Sequence, residues 1–429
     1  MTEKLLQYIW NAQFLNTQSL QTLQGERIEI LQPGKWNTHQ GPDFLEARIR
    51  IHNTQLAGNI ELHLKSSDWY AHKHQWDPHY RNVILHVVWE HDTTALHTDH
   101  IPILELQSRV SKILLQQYAE WMDRTEKIPC SGQLLQVPDS ILSSWIDRLT
   151  RERLFRKTAQ INDWLQLNEQ HWEETCWWLM ARHFGSPTNS DAFEALAKSI
   201  PFPVLLRYRN QIHQLEALLL GQAGLLHDPF EESYPEMLRK EYQFQQLKFQ
   251  LQPVNNPFHF LRMRPGNFPT IRLVQLAMLL HQNPDWLTPI LKTPDPETLY
   301  ESFRVTANDY WHYHYVPDSP TGYLPKTTGK KFIQHLLINA ACPMQFAYGQ
   351  LMGEDPLIEK SLHWLKLLEP EKHKALDILQ EEGLRFRSAF ECQGALELKT
   401  NYCDQKNCLN CSVGDYLLKQ SIAGFVKAR

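Results

Sequence analysis

Polar and apolar residues alternate along this chain with two different periods, and the change of period divides it. Over residues 1–24, Leu5, Ile9, Trp10, Phe14 and Leu15 recur at helical spacing and predict a helix. From Glu26 to about Leu106 the period drops to two. RIEILQPG, EARIRI and NIELHLK alternate as half-buried strands do, and IPILELQ reads as a further strand. NVILHVVWEH is a continuous apolar run rich in β-branched residues, as a strand covered on both faces requires. The polar, aromatic stretch SSDWYAHKHQWDPHYR predicts a loop with a short helix. From Ser111 onward helical spacing takes over, in SKILLQQYAEWM, SSWIDRLTRERLFRKTAQINDWLQL, EETCWWLMARHFG, QIHQLEALLLGQAGLL, TIRLVQLAMLLHQ and KKFIQHLLINAACPMQFAYGQLM. Proline-containing breaks separate these segments. The predicted class is α+β: an α/β domain with a mixed or antiparallel sheet over residues 1–111, then a larger all-helical domain over 112–429. The junction is expected within Ser111–Pro138.

The strand NIELHLK carries the chemistry. Period two places Glu61, His63 and Lys65 on one face and turns Ile60, Leu62 and Leu64 toward the core. The turn Gly41-Pro42-Asp43 delivers an aspartate just before the preceding strand, and a hairpin would set Asp43 beside Glu61. Metal-assisted phosphodiester hydrolysis asks for such a set. Carboxylate oxygens hold Mg²⁺, the ion acidifies a water and stabilises charge on phosphate, and a nearby cation orients or neutralises. The alternative is a polar-faced strand with Glu61 and Lys65 as a surface pair. Asp68, His72, His74, Asp77, His79 and His86 are dense for so short a span. His72-x-His74 suits a metal or phosphate contact, or a solvated loop, whereas His86 inside VILHVV reads as a hydrogen-bonded core residue.

This stretch resembles the PD-(D/E)xK nuclease superfamily, in which Pro-Asp is followed, after a hairpin, by an acidic-x-Lys strand. Pro42-Asp43 and Glu61 match. His63 stands where the pattern puts lysine, and Lys65 follows one strand period later. The resemblance implies a restriction-endonuclease-like domain. In it Asp43 and Glu61 hold Mg²⁺ or Mn²⁺, and His63 or Lys65 acts on the attacking water.

Near the C-terminus, Cys403-x4-Cys408-x2-Cys411 has the spacing of a thiolate site for Zn²⁺ or an iron–sulfur cluster, with Cys392 or Cys130 as fourth ligand. The alternative is three reduced thiols in a turn. The seven cysteines are odd in number and clustered, which argues against a secreted disulfide framework. Glu3, Gln7, Asn11 and Gln13 interrupt any leader-like apolar run, and no stretch is long enough to span a bilayer. The expectation is a cytoplasmic chain without a membrane partner.

A net charge of −5 gives no overall basic footprint, so a nucleic-acid partner would need a local one. Arg262, Arg264 and Arg272 beside a Pro-Gly turn are the candidate phosphate clamp, and Arg148, Arg151, Arg153, Arg156 and Lys157 form a basic helical segment. Solvated helix faces are the plainer reading of both.

The whole chain resembles the DUF2851 family of uncharacterised bacterial proteins, typical of Bacteroidetes. The resemblance rests on GPDF, IELHLKSSDW, VILHVV, EALLLGQAGLL, RMRPGNFPTIRL and the terminal CxxxxCxxC with Gly414. It implies no established activity. The function expected from the residues is a metal-dependent nuclease acting on DNA or RNA, or a catalytically decayed relative. The rivals are a non-enzymatic nucleic-acid-binding or scaffold protein, and a metal-dependent phosphoesterase of small substrates using His72 and His74.

Overall fold

The helix expected over residues 1–24 forms only in its first half in a computed structural model of the chain, which describes residues 1–93 and 101–426. Thr2 caps α1 (Glu3–Asn11), its hydroxyl accepting the Leu5 N–H at 3.3 Å. The helix buries Leu5, Leu6, Tyr8, Ile9 and Trp10. It ends before Gln13, which takes a left-handed φ of 54°. Phe14 instead packs edge-on against Tyr8, and Leu15 bridges to Val110. Burial from two different structures therefore imitated one helical stripe.

Six strands follow: β1 (Ile28–Gln32), β2 (Lys35–Trp36), β3 (Phe44–Ile51), β4 (Thr54–Lys65), β5 (Val83–Glu90) and β6 (Ile103–Glu105). They form one sheet of order β1-β3-β4-β5-β6, with β2 also against β3. The pairs made by β3 are antiparallel, whereas β4–β5 and β5–β6 are parallel, so the sheet is mixed. A parallel pair needs a crossover. Here α2 (Asp68–Ala71) and two 3₁₀ turns, His74–Trp76 and Pro78–Tyr80, supply it. Strand β5 has a neighbour on each side and buries Leu85, His86, Val87 and Val88, which accounts for its unbroken apolar run. The two-residue β2 is too short to leave a period in the sequence.

Two compact units emerge. The first comprises Met1–Trp145, Glu381–Leu384 and Lys399–Arg429, so the division expected at residue 111 falls inside it. The helix Lys112–Asp123 buries Leu114 and Trp121 in this unit. Lys406 then donates to the carbonyls of Met122 and Arg124. The Tyr8 hydroxyl donates to Asp415 at 2.9 Å, tying α1 to the helix Ser412–Val426. Such long-range returns leave no local trace in a sequence.

The second unit, Ile146–Gln380 and Arg385–Leu398, is helical. Its core gathers Trp164, Trp177, Trp178, Trp286, Trp311 and Trp364 around aliphatic residues from the segments read as helices. Among the described residues no strand follows Glu105, and no helix is long and apolar enough to cross a membrane.

Candidate metal centre

The β3–β4 hairpin brings the two carboxylates together. Phe44 pairs with Ile60, and a bulge follows in which Glu46 adopts a φ of 58°. Asp43, immediately before β3, therefore lies beside Glu61 and Leu62. Its Oδ2 accepts the Leu62 N–H at 3.0 Å, and its own N–H donates to Glu61 Oε2 at 3.0 Å. Gln7 of α1 donates to Asp43 Oδ1 at 2.7 Å. Burial raises the pKa of both carboxyls, and for Glu61 the neighbouring Asp43 charge raises it further. Glu3 of α1 adds to the same negative field.

The parallel β4–β5 register sets Glu61 opposite His86, and the histidines gather around that pair. His63 Nδ1 lies 2.9 Å from His86 Nε2, and His63 Nε2 lies 3.2 Å from His72 Nδ1. Glu61 Oε1 is 3.5 Å from His63 Nε2 and 3.6 Å from His74 Nε2. Lys73, between His72 and His74, has a left-handed φ of 60°, which turns the chain where both rings approach His63. His63, His72 and His74 each offer a ring nitrogen, all within 4.8 Å of one another. Tyr80 stacks on His74 at 3.8 Å, and Trp69 meets His74 and His86 at the back of the cluster. His63 is buried, His74 half-buried and His72 exposed, so the cluster opens to solvent on the His72 side.

Burial, reinforced by neighbouring imidazoles, holds His63 down to about 2 and His86 down to about 3, and it also lowers His74. Neutral rings are the form in which histidine ligates a cation. If His63 Nδ1–H donates to His86, the Nε2 lone pair faces His72 and Glu61, and His86 acts as the orienting partner of a ligand. His74 Nε2 is buried without a hydrogen-bond partner. Two facing carboxyls, three converging imidazoles and one unsatisfied buried nitrogen fit a divalent cation. Mg²⁺ prefers an all-oxygen shell, so this donor set widens the expected ion to Mn²⁺ and Zn²⁺.

Of the residues singled out on β4, Glu61 and His63 point into this cluster. Lys65, at the strand end, is exposed, with Nζ 4.0 Å from Asp92 and its N–H donated to Asp68. Leu62 is buried and Leu64 half-buried. The sequence reading did not assign Glu3, Gln7 or His86 to the site. Glu3 and Gln7, four apart on α1, were the available signal for a polar helix edge facing the sheet.

In the second unit, Arg272 stacks on Phe332 at 3.5 Å and donates to Gln275 and Asn267. Burial lowers its pKa to about 10. Arg262 and Arg264 are exposed. Arg153 and Arg156 share Glu397, Arg148 pairs with Glu152, and Arg151 pairs with Asp147 and Glu359. Of the cysteines, Cys130, Cys403, Cys408 and Cys411 belong to the first unit and Cys392 to the second.

A family model described as "Protein of unknown function (DUF2851)" matches residues 3–374, a span that holds the whole histidine–carboxylate cluster and ends before Cys403. No curated protein and no solved structure matches the chain.

Proposed function

This chain belongs to the DUF2851 family, and since that family's description carries no function, we propose one from the geometry: metal-dependent hydrolysis of phosphodiesters, with DNA or RNA as substrate. The observation that carries the reading is the convergence of His63, His72 and His74 within 4.8 Å, with Glu61 Oε1 at 3.5 and 3.6 Å from two of them. The resemblance of the Asp43–Glu61 hairpin to PD-(D/E)xK nucleases supports the substrate class.

His63, His72, His74 and Glu61 would hold the ion, with Asp43 behind Glu61. A divalent cation there supplies an acidified water and polarises the phosphoryl oxygen. Glu61, close to His63 and His74, would complete the ion's shell with its carboxylate, giving up its proton as the ion binds. Asp43 fixes Glu61 through its backbone N–H. His86 holds the His63 ring, and Trp69 and Tyr80 close the back of the cluster against solvent. In this scheme His63 occupies the lysine place of the nuclease pattern, and Lys65 takes no part in the chemistry. Within the second unit, the exposed Arg262 and Arg264 are a further candidate contact for phosphate, argued independently of the metal centre.

The test is cleavage of single- and double-stranded DNA, RNA and an activated small phosphodiester with Mg²⁺, Mn²⁺ or Zn²⁺, for wild type, Asp43→Ala and His63→Ala. Metal-dependent cleavage lost in both variants is the expected result. Cleavage of the small ester alone would select the phosphoesterase reading, favoured by the three imidazoles. Metal binding without hydrolysis of any substrate would favour the scaffold.

A further inference from the structure

The helix Ser412–Val426 starts on a cysteine. Cys411 directly precedes it, and the N–H groups of Val413 and Gly414 donate to its sulfur. The two backbone donors fix the direction of this sulfur, while burial raises its pKa and keeps the metal-free thiol protonated. The chain before it is wound tightly. The Cys411 N–H donates to the Cys408 carbonyl at 3.3 Å, and the Lys406 N–H donates to Cys403 at 3.1 Å, with Lys406 at a left-handed φ of 49°. A Cβ on Gly414 would stand 2.2 Å from the Cys408 carbonyl oxygen, so only glycine lets the loop close.

A second segment is fastened to this loop. The Lys406 ammonium donates to the carbonyls of Met122 and Arg124, and the Arg124 guanidinium donates to those of Pro129 and Ser131 at 3.2 and 2.9 Å. Those two residues flank Cys130. Burial raises the pKa of Cys130 and Cys403, and the nearby sulfurs of Cys408 and Cys411 raise both further. All four thiols are buried and unpaired by disulfides.

The spacing of the sulfurs selects the ligand. One zinc ion, with Zn–S of about 2.3 Å in a tetrahedron, would draw four sulfurs to within about 4 Å of each other. Among the described residues, the histidine trio is the only group of three ligand atoms that lies within 4.8 Å. No three of the four sulfurs lie within that distance of one another, a spacing wider than one ion sets and one that several irons bridged by sulfide can span. We propose that Cys130, Cys403, Cys408 and Cys411 ligate an iron–sulfur cluster, with Cys130 rather than Cys392 as the fourth ligand. The site is separate from the histidine–carboxylate cluster and does not depend on the function proposed for it.

The full chain, purified without oxygen, should contain iron and acid-labile sulfide in equal amounts and show a broad visible absorption that dithionite bleaches. Cys130→Ser should lose the colour and Cys392→Ser should keep it. Cys130→His, which retains a ligand, should shift the spectrum and its reduction potential rather than abolish them, and it serves where the serine variant fails to fold. Protein with zinc and no iron, protein with neither metal, or colour lost in Cys392→Ser but kept in Cys130→Ser would overturn the proposal.

Discussion

Asp43→Asn should make the metal-free protein more stable and at the same time end its stabilisation by metal. Asp43 and Glu61 are neighbouring buried carboxyls, and their raised pKa values mean that the unfolded chain sheds its protons first. In a metal-free protein, stability from this pair is therefore fully present below the ordinary carboxylate pKa. It is lost as pH rises through the raised values. Two like charges about 4 Å apart at an effective dielectric of about 20 repel by about 4 kcal/mol. Asparagine removes one charge. Its amide cannot accept both the Leu62 N–H and the Gln7 amide, but Gln7 can rotate to present its oxygen, so one imperfect bond costs about 1–3 kcal/mol. The net gain reaches about 1–3 kcal/mol only where both carboxyls are ionised, above the raised Glu61 pKa, and is smaller at pH 8, where much of Glu61 keeps its proton. Wild type should in turn gain about 2.7 kcal/mol from Mn²⁺ or Zn²⁺ at a hundred times its Kd, and the variant far less. Thermal melts at pH 5 and pH 8, with and without metal, measure both effects. A variant less stable than wild type without metal, yet equally stabilised by it, would refute the reasoning.

Glu216→Gln addresses a second buried carboxyl, held by Trp311 and Tyr234 with its pKa raised to about 7 by burial. Wild type should lose about 3 kcal/mol between pH 4.5 and 7 relative to the variant, seen as a flatter urea-denaturation profile for the variant. Gly58→Ala would set a methyl 2.5 Å from the Asn82 carbonyl and Ile84 and should cost about 1–3 kcal/mol by the same denaturation measurement, with weaker metal binding because Glu61 and His86 depend on the β4–β5 register. Lys65→Ala should leave hydrolysis within about twofold of wild type whereas His63→Ala abolishes it, and the reverse order of rates would restore lysine to the site. Arg262→Ala with Arg264→Ala should weaken nucleic-acid binding alike for all sequences and lower the salt slope by about one unit per arginine, measured by titration at several salt concentrations.

The strands were legible because each kept one face in one environment. NIELHLK and EARIRI alternate, and VILHVV does not because successive residues of β5, which point to opposite faces, are all buried from Leu85 to Val88. The Asp43–Glu61 meeting was legible because a hairpin is a local structure. What stayed hidden depends on the chain returning from a distance. Gln7 reaches Asp43 across a helix–sheet contact, and His86 meets His63 only through a parallel register that no local pattern encodes. His72 and His74 were legible as a possible metal or phosphate contact, but their convergence on His63 was not, because it depends on one left-handed residue, Lys73. Lys65 obeyed the period and still left the site, since the strand ends there and its ammonium turns to Asp92. The boundary at residue 111 was placed where the hydrophobic period changes, whereas the compact unit that holds the sheet also takes in residues 112–145 and 399–429, a grouping that no local period encodes.

Because the first unit is completed by residues 399–429, its assembly is ordered in time. During synthesis the sheet strands emerge early, while the segment that seats Asp415 against Tyr8 emerges last. The whole helical unit leaves the ribosome in the interval, with the apolar face of α1 and of the helix Lys112–Asp123 still waiting for its last partner. Apolar surface left uncovered in this way invites association with other chains. A nascent chain stalled before residue 399 should accordingly engage chaperones more strongly than the released protein, and shortening the C-terminus should harm solubility more than its distance from the sheet in sequence suggests.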